Sequence, residues 1–145
     1  MPTPRKPRRS CKHCNKEVSR PEKIYCNNKC QHEYEYNKYI KDWLDGKNSG
    51  NQPNGLRVSF YVRRWLIQTR GEKCEICGWN ERNETSGKVP IEVSHKDGNS
   101  QDSNPNNLEL LCPNHHSLTS SFRNLNKGKG RIQRRNRIVA IAPVL

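Results

Sequence analysis

Apolar side chains are scarce in this chain. Only 30% of its 145 residues are hydrophobic, below the ~45–50% apolar share of ordinary globular domains. That excludes a large aliphatic core, and a domain so poorly supplied needs staples or bound metal. Acids are also few, 14 against 27 Lys and Arg, for a formal net charge of +13. No apolar run follows the basic start, so the reading expects neither a secretory signal nor a transmembrane segment, and no membrane partner. The expected compartment is a reducing cytoplasm, where paired cysteines read as metal sites before disulfides.

What is present is concentrated at the ends. Residues 1–30 hold nine Lys and Arg against two acids, and residues 123–145 hold seven and none. Solubility alone does not require basic arms of this density. They fit a polyanion, bound through counterion release from phosphates. The partner class is nucleic acid.

The length suits one ordinary domain or two small ones. Residues 1–10 combine proline with bare charge and read as a disordered basic arm. Residues 11–44 read as a Cys₄ zinc module plus helix, since Tyr36, Tyr39, Ile40 and Trp43 recur at helical spacing and predict a helix over 29–44. Residues 45–56, rich in Gly, Asn, Ser and Pro, read as a flexible linker. Residues 57–122 form the second module, opened by a helix over 58–69 on Val58, Tyr61, Val62, Trp65 and Leu66. Two short strands follow, 91–95 and 108–111, joined by a turn-rich loop too long for a tight hairpin. Pro113 starts a last helix carrying His115, His116, Leu118 and Thr119. Residues 123–145 are a basic C-terminal tail, with a small strand expected at 138–142.

All seven cysteines fall into metal-ligand spacings. Cys74 and Cys77 form a CxxC half-site, and Cys112 with His115 supplies the same spacing, giving a Cys₃His set. Cys11, Cys14, Cys26 and Cys30 give a Cys₄ set. Both sets are closed, so two structural Zn²⁺ ions are expected, each contributing folding energy. His13 and His32 read as surface or packing residues. The Cys₃His set would also carry His95 and His116 onto one small frame beside Asn107.

The stretch 58–119, through "VRRWLIQTRGEKCEICGW", "IEVSHKDGN" and "NNLELLCPNHHSLT", resembles the zinc-stapled HNH endonucleases. The Cys₄ segment is similar to small zinc modules appended to phage-borne, homing-type members. The resemblance implies a small α+β, zinc-stabilised fold with a ββα-metal core preceded by a helix. It implies His95 as general base on the attacking water and Asn107 as the residue that orients that imidazole or braces its loop. His116 would bind a catalytic Mg²⁺ or similar divalent ion, and the products would carry 5′-phosphate and 3′-hydroxyl ends. Two positions depart from the family. His115 stands where most zinc-stapled members have a fourth cysteine, a conservative exchange. Ser94 stands where an Asp or His usually helps bind the metal, and its neutral hydroxyl is a poor ligand that leaves the place to water or Asp97.

Arg57, Arg63, Arg64 and Arg70 on or beside the second helix, with Arg134 and Arg135 in the tail, are the candidate contacts to double-stranded DNA. One catalytic constellation per chain suggests a monomer that nicks, in host cytoplasm if phage-encoded. Two other classes compete: a catalytically weakened zinc-dependent DNA-binding protein, with Ser94 as the lesion, and a structural zinc protein of RNA metabolism. Retention of His95, Asn107 and His116 together favours the enzyme.

Overall fold

A computed structural model describes residues 6–55 and 57–126. Helix α1 spans Asn28–Leu44, α2 Phe60–Arg70, strand β1 Glu92–His95, β2 Leu108–Leu111 and α3 Pro113–Ser117, with 3₁₀ turns at Pro105–Asn107 and Arg123–Asn126. The architecture is small α+β. By contacts the chain divides into two units, Met1–Asp42 and Trp43–Leu145.

In the first unit the chain turns back on itself around Cys11, whose amide donates to the Lys16 carbonyl at 2.8 Å. Asn15 takes a left-handed φ of 60° there, a conformation asparagine tolerates better than most residues. The turn pairs Ser10 with Glu17, and the Val18 amide donates to the Arg9 carbonyl at 3.0 Å. The end of the expected disordered arm is therefore in ordered pairing. Its first five residues lie outside the described ones. Helix α1 starts at Asn28, one residue earlier than expected, because the Asn27 side chain accepts the Cys30 amide at 2.9 Å as an N-cap does. Among the described residues of this unit, Cys11, Val18, Tyr36 and Ile40 are buried and apolar.

In the second unit the Ser59 hydroxyl caps α2 by accepting the Val62 amide at 3.1 Å, and Gly71 closes the helix at φ 87° with its amide on the Ile67 carbonyl. Val62 and Leu66 turn inward and are fully buried. The antiparallel ribbon sets Glu92 opposite Leu111 and His95 opposite Leu108. Leu108, Leu110 and Leu111 are all buried, so β2 lies within the core and α3 packs against both strands. Helix α3 stops at Ser117 because the Leu118 amide bonds back to the His115 carbonyl at 3.2 Å. The expected strand at 138–142 lies outside the described residues.

The segment read as a flexible linker is folded. Asn51 bridges to Val58, the Ser59 amide donates to the Gly50 carbonyl at 2.8 Å, and Gln101 Nε2 donates to the Gly55 carbonyl at 3.1 Å. Trp43 packs edge-on against Trp65 at 5.2 Å, and its indole N–H donates to the Ser103 carbonyl at 2.9 Å. Gly50, at φ 73°, leaves no room for a Cβ, which would run into the Trp43 indole nitrogen. The polar composition was correct, but its polarity serves hydrogen bonds rather than solvent.

With so small a core, two side-chain clusters close the structure. The ligand atoms of Cys11, Cys14, Cys26 and Cys30 lie within 4.8 Å of one another, as do those of Cys74, Cys77, Cys112 and His115. A tetrahedral ion with bonds of about 2.0–2.3 Å spaces its ligands about 3.5–3.8 Å apart. The sulfurs of Cys14 and Cys26 stand 3.5 Å apart and those of Cys14 and Cys30 3.9 Å apart. His115 Nδ1 is 3.3 Å from the Cys112 sulfur and 3.6 Å from that of Cys74. Both clusters fit a metal ion of zinc's size. Burial alone would raise the thiols of Cys11 and Cys74, but surrounding backbone amides outweigh it and hold each down to about 6. One thiolate, the ligating form, is thereby favoured in each cluster, while Cys26, Cys30 and Cys77 are pushed up beside it.

Two measurements check this architecture. Gly46 shares the φ of 73° but has open space around a built Cβ, so Gly46→Ala should cost only the left-handed penalty of about 1–2 kcal/mol. Gly50→Ala should cost ~1–3 kcal/mol more by overpacking in denaturant unfolding of the metal-loaded protein. Equal losses would mean that the segment is not packed on Trp43. Elemental analysis should find two zinc ions per chain, falling to one in Cys112→Ser and in His115→Ala, with chelation lowering the melting temperature. An unchanged metal content in those variants would remove their residues from the site.

Candidate functional site

The thiol–imidazole cluster ties three pieces of chain together: the knuckle at Cys74–Cys77, the residue after β2, and α3. Cys112 caps α3 through its sulfur, which accepts the His115 amide at 3.5 Å. Adjacent residues on so short a helix point to different places. His115 joins Cys74 and Cys112, while His116 Nδ1 contacts a carboxylate oxygen of Glu92 on β1. Phe122 stands edge-on to the His116 ring at 5.3 Å.

The loop between the strands is closed at its base by the Lys96 amide on the Asn107 carbonyl at 2.8 Å. The Asn107 side chain then braces it from within. Its Nδ2 donates to Asp97 Oδ1 at 2.8 Å and to the Asp102 carbonyl at 2.7 Å, and its Oδ1 accepts the Asp97 amide at 3.2 Å. Asn107 thus holds the loop and not the imidazole. The donated bonds from the Asn107 amide and the Asn99 backbone hold the Asp97 carboxyl below its ordinary range.

His95 ends β1, half-buried, with Nε2 3.0 Å from the Ser103 hydroxyl. Burial disfavours the imidazolium and lowers its pKa, against an upward pull from Asp97 and Asp102. A neutral ring at neutral pH follows, which is the form able to accept a proton. Among the described residues His95, Asn107 and His116 do not hydrogen-bond one another. Each is set by its own partners.

Side chains alternate along a strand, so Glu92 and Ser94 share one side of β1 and Val93 and His95 the other. Ser94 is only 5% exposed and sits in covered structure, whereas the exposed Glu92 brings a carboxylate to His116. That period-2 relation was the available signal for Glu92, which sequence reasoning passed over. Ser103 and Asn51 were missed too, and no local pattern marks them, because they meet across a gap of 52 residues.

The arginines divide. Arg70 is a correction to the expected DNA contacts: its guanidinium donates to the Glu75 carboxylate at 3.0 Å and to the carbonyls of Leu108 and Pro105, both at 2.7 Å. Those bonds strap α2 to β2 and the loop. Arg63 donates to the Ile91 carbonyl at 2.8 Å. Arg64 is half-buried and Arg57 exposed, while Arg134 and Arg135 lie outside the described residues. His13 and His32 are exposed.

No family model matches the chain, and no solved structure does. The chain is 38% identical over 82 residues to the H-N-H endonuclease F-TflIV of Escherichia phage T5, a match covering 52% of this chain and 34% of that protein. It therefore spans about a third of the length of the curated relative. Over that matched half, the chain is similar to an H-N-H endonuclease.

Proposed function

We propose that this protein is a metal-dependent DNA endonuclease that hydrolyses a phosphodiester to 5′-phosphate and 3′-hydroxyl ends. The observation that carries the reading is the half-buried, neutral-leaning His95 where β1 runs into the loop that Asn107 braces. His95 takes a proton from the attacking water, which removes the cost of forming hydroxide in solution. Asn107 keeps the loop around that ring in one conformation. His116 and Glu92 offer one nitrogen and one oxygen donor, a set that fits Mg²⁺ or a similar divalent cation. Bound there, the cation supplies charge neutralisation at the scissile phosphate and the departing oxygen.

Glu92 thus answers the departure at position 94, with the carboxylate entering two residues earlier on the same side of the strand. The substrate is double-stranded DNA, held through phosphate contacts by the basic segments. Zinc fills both cysteine clusters as a structural ion. One constellation per chain supports nicking by a monomer, and the similarity to a phage protein supports a phage or homing context. The burial of Ser94 favours a second reading, a zinc-dependent DNA-binding protein with weakened catalysis.

Supercoiled plasmid incubated with the zinc-loaded chain should be nicked when Mg²⁺ or Mn²⁺ is added and left intact when neither is added. His95→Ala should lose about 10²–10⁴-fold in rate while retaining two zinc ions. Binding without nicking in the wild type supports the second reading instead. Because burial lowers the His95 pKa, the base form persists to lower pH than in a free imidazole. The acid limb of the rate profile should therefore lie below about 6.5, and a limb above that value refutes His95 as the base.

A further inference from the structure

We propose that Ser103 and Asn51 are positioning residues that fix the neutral His95 ring with its proton on Nε2, leaving Nδ1 as the bare nitrogen that can take a proton. The inference rests on the reading of His95 as the general base, and its argument is a count of hydrogens. A serine hydroxyl has one proton to donate. Ser103 Oγ gives it to Asn51 Oδ1 at 2.6 Å. The amide cannot be reversed, because Asn51 Nδ2 donates to the Ser100 carbonyl at 3.2 Å, and a flipped amide would set two oxygens against each other. Towards His95, 3.0 Å away, the Ser103 oxygen is therefore an acceptor only, and the imidazole must donate through Nε2.

Burial makes this arrangement binding. Ser103 is 2% exposed, so water cannot replace a missing partner, and a bare Nε2 would leave two lone pairs facing each other in covered structure. The hydroxyl is also held in place through its backbone. The Trp43 indole fixes the Ser103 carbonyl, and Gly50 lets Asn51 approach past that same indole.

The proton path follows. When Nδ1 accepts the proton from water, the ring becomes an imidazolium whose Nε2–H still donates to Ser103, and the Ser103 proton stays on Asn51. Nothing moves along the chain of hydrogen bonds. The network orients the ring and offers the cation an acceptor, and the proton must leave by way of Nδ1.

The test is a long-range ¹H–¹⁵N correlation spectrum of the zinc-loaded full chain at a pH where His95 is neutral, run beside plasmid nicking. The expected spectrum has a pyrrole-type nitrogen at ε2 and a pyridine-type nitrogen at δ1. Asn51→Leu frees the Ser103 hydroxyl to donate to the ring, so the two nitrogen signals should move towards each other. Its kcat should fall about 10–100-fold, as for other partners that orient a functional histidine, with KM unchanged. A pyridine-type ε2 nitrogen in the wild type overturns the proposal even where plasmid is nicked, and this readout needs no variant to fold. An Asn51→Leu protein with unaltered signals and kcat removes Asn51 from the role. Absence of nicking in a wild type that shows the expected spectrum overturns the nuclease reading and leaves the hydrogen-bond assignment standing.

Discussion

Four ligand atoms drawn from the knuckle after α2, the end of β2 and the first turn of α3 lie close enough to share one ion. In a chain with so few apolar residues, that closeness is a principal means of holding those pieces together. The closure fixes where α3 begins, and hence where His116 emerges one residue after a ligand. Arg70 performs a second tie, joining the end of α2 to the Leu108 and Pro105 carbonyls and to Glu75. Glu75 also accepts the Leu110 amide at 3.0 Å, so one ion pair locks helix, knuckle and strand. The ribbon is thus supported at both ends by polar and metal-type contacts instead of by hydrophobic mass.

The candidate site residues inherit that rigidity unequally. Glu92 and His95 are carried by the ribbon, His116 by the helix that also carries His115 of the Cys₃His cluster, and Asn107 by the junction of loop and β2. Ser103 sits in the loop itself, where Asx-type turns at Asp97, Asn99 and Asp102 replace regular structure. Each side-chain oxygen there accepts an amide two residues on, which lets a polar loop satisfy its own backbone.

Much of this was legible in the sequence, and the reasons are physical. Cysteine spacing reports metal geometry directly, and the spacing of Tyr36, Ile40 and Trp43 marked α1 because helix and burial share a period. Strand β2 was readable as a short apolar run between turn signals. Glu92 was readable in principle, since strand alternation puts it beside Ser94, but a motif-centred reading looks only at the residue next to the histidine. Residues 45–55 misled because Gly, Asn and Ser are also what a tightly folded polar loop uses, and only tertiary contacts tell the two apart. Arg70 misled for a related reason: charge in a sequence does not say whether a guanidinium meets solvent or three carbonyl and carboxylate oxygens.

The folded segment ahead of α2 sets where this protein can be divided. A fragment cut at residue 57, the natural choice from composition, would discard Trp43, Gly50 and Asn51 together, and with them every contact that holds Ser103 from the N-terminal side. The second unit begins inside the last turn of α1, at Trp43. A protein engineer moving this unit onto another scaffold should therefore carry the end of α1 and the loop after it as part of the folded unit and not as a tether.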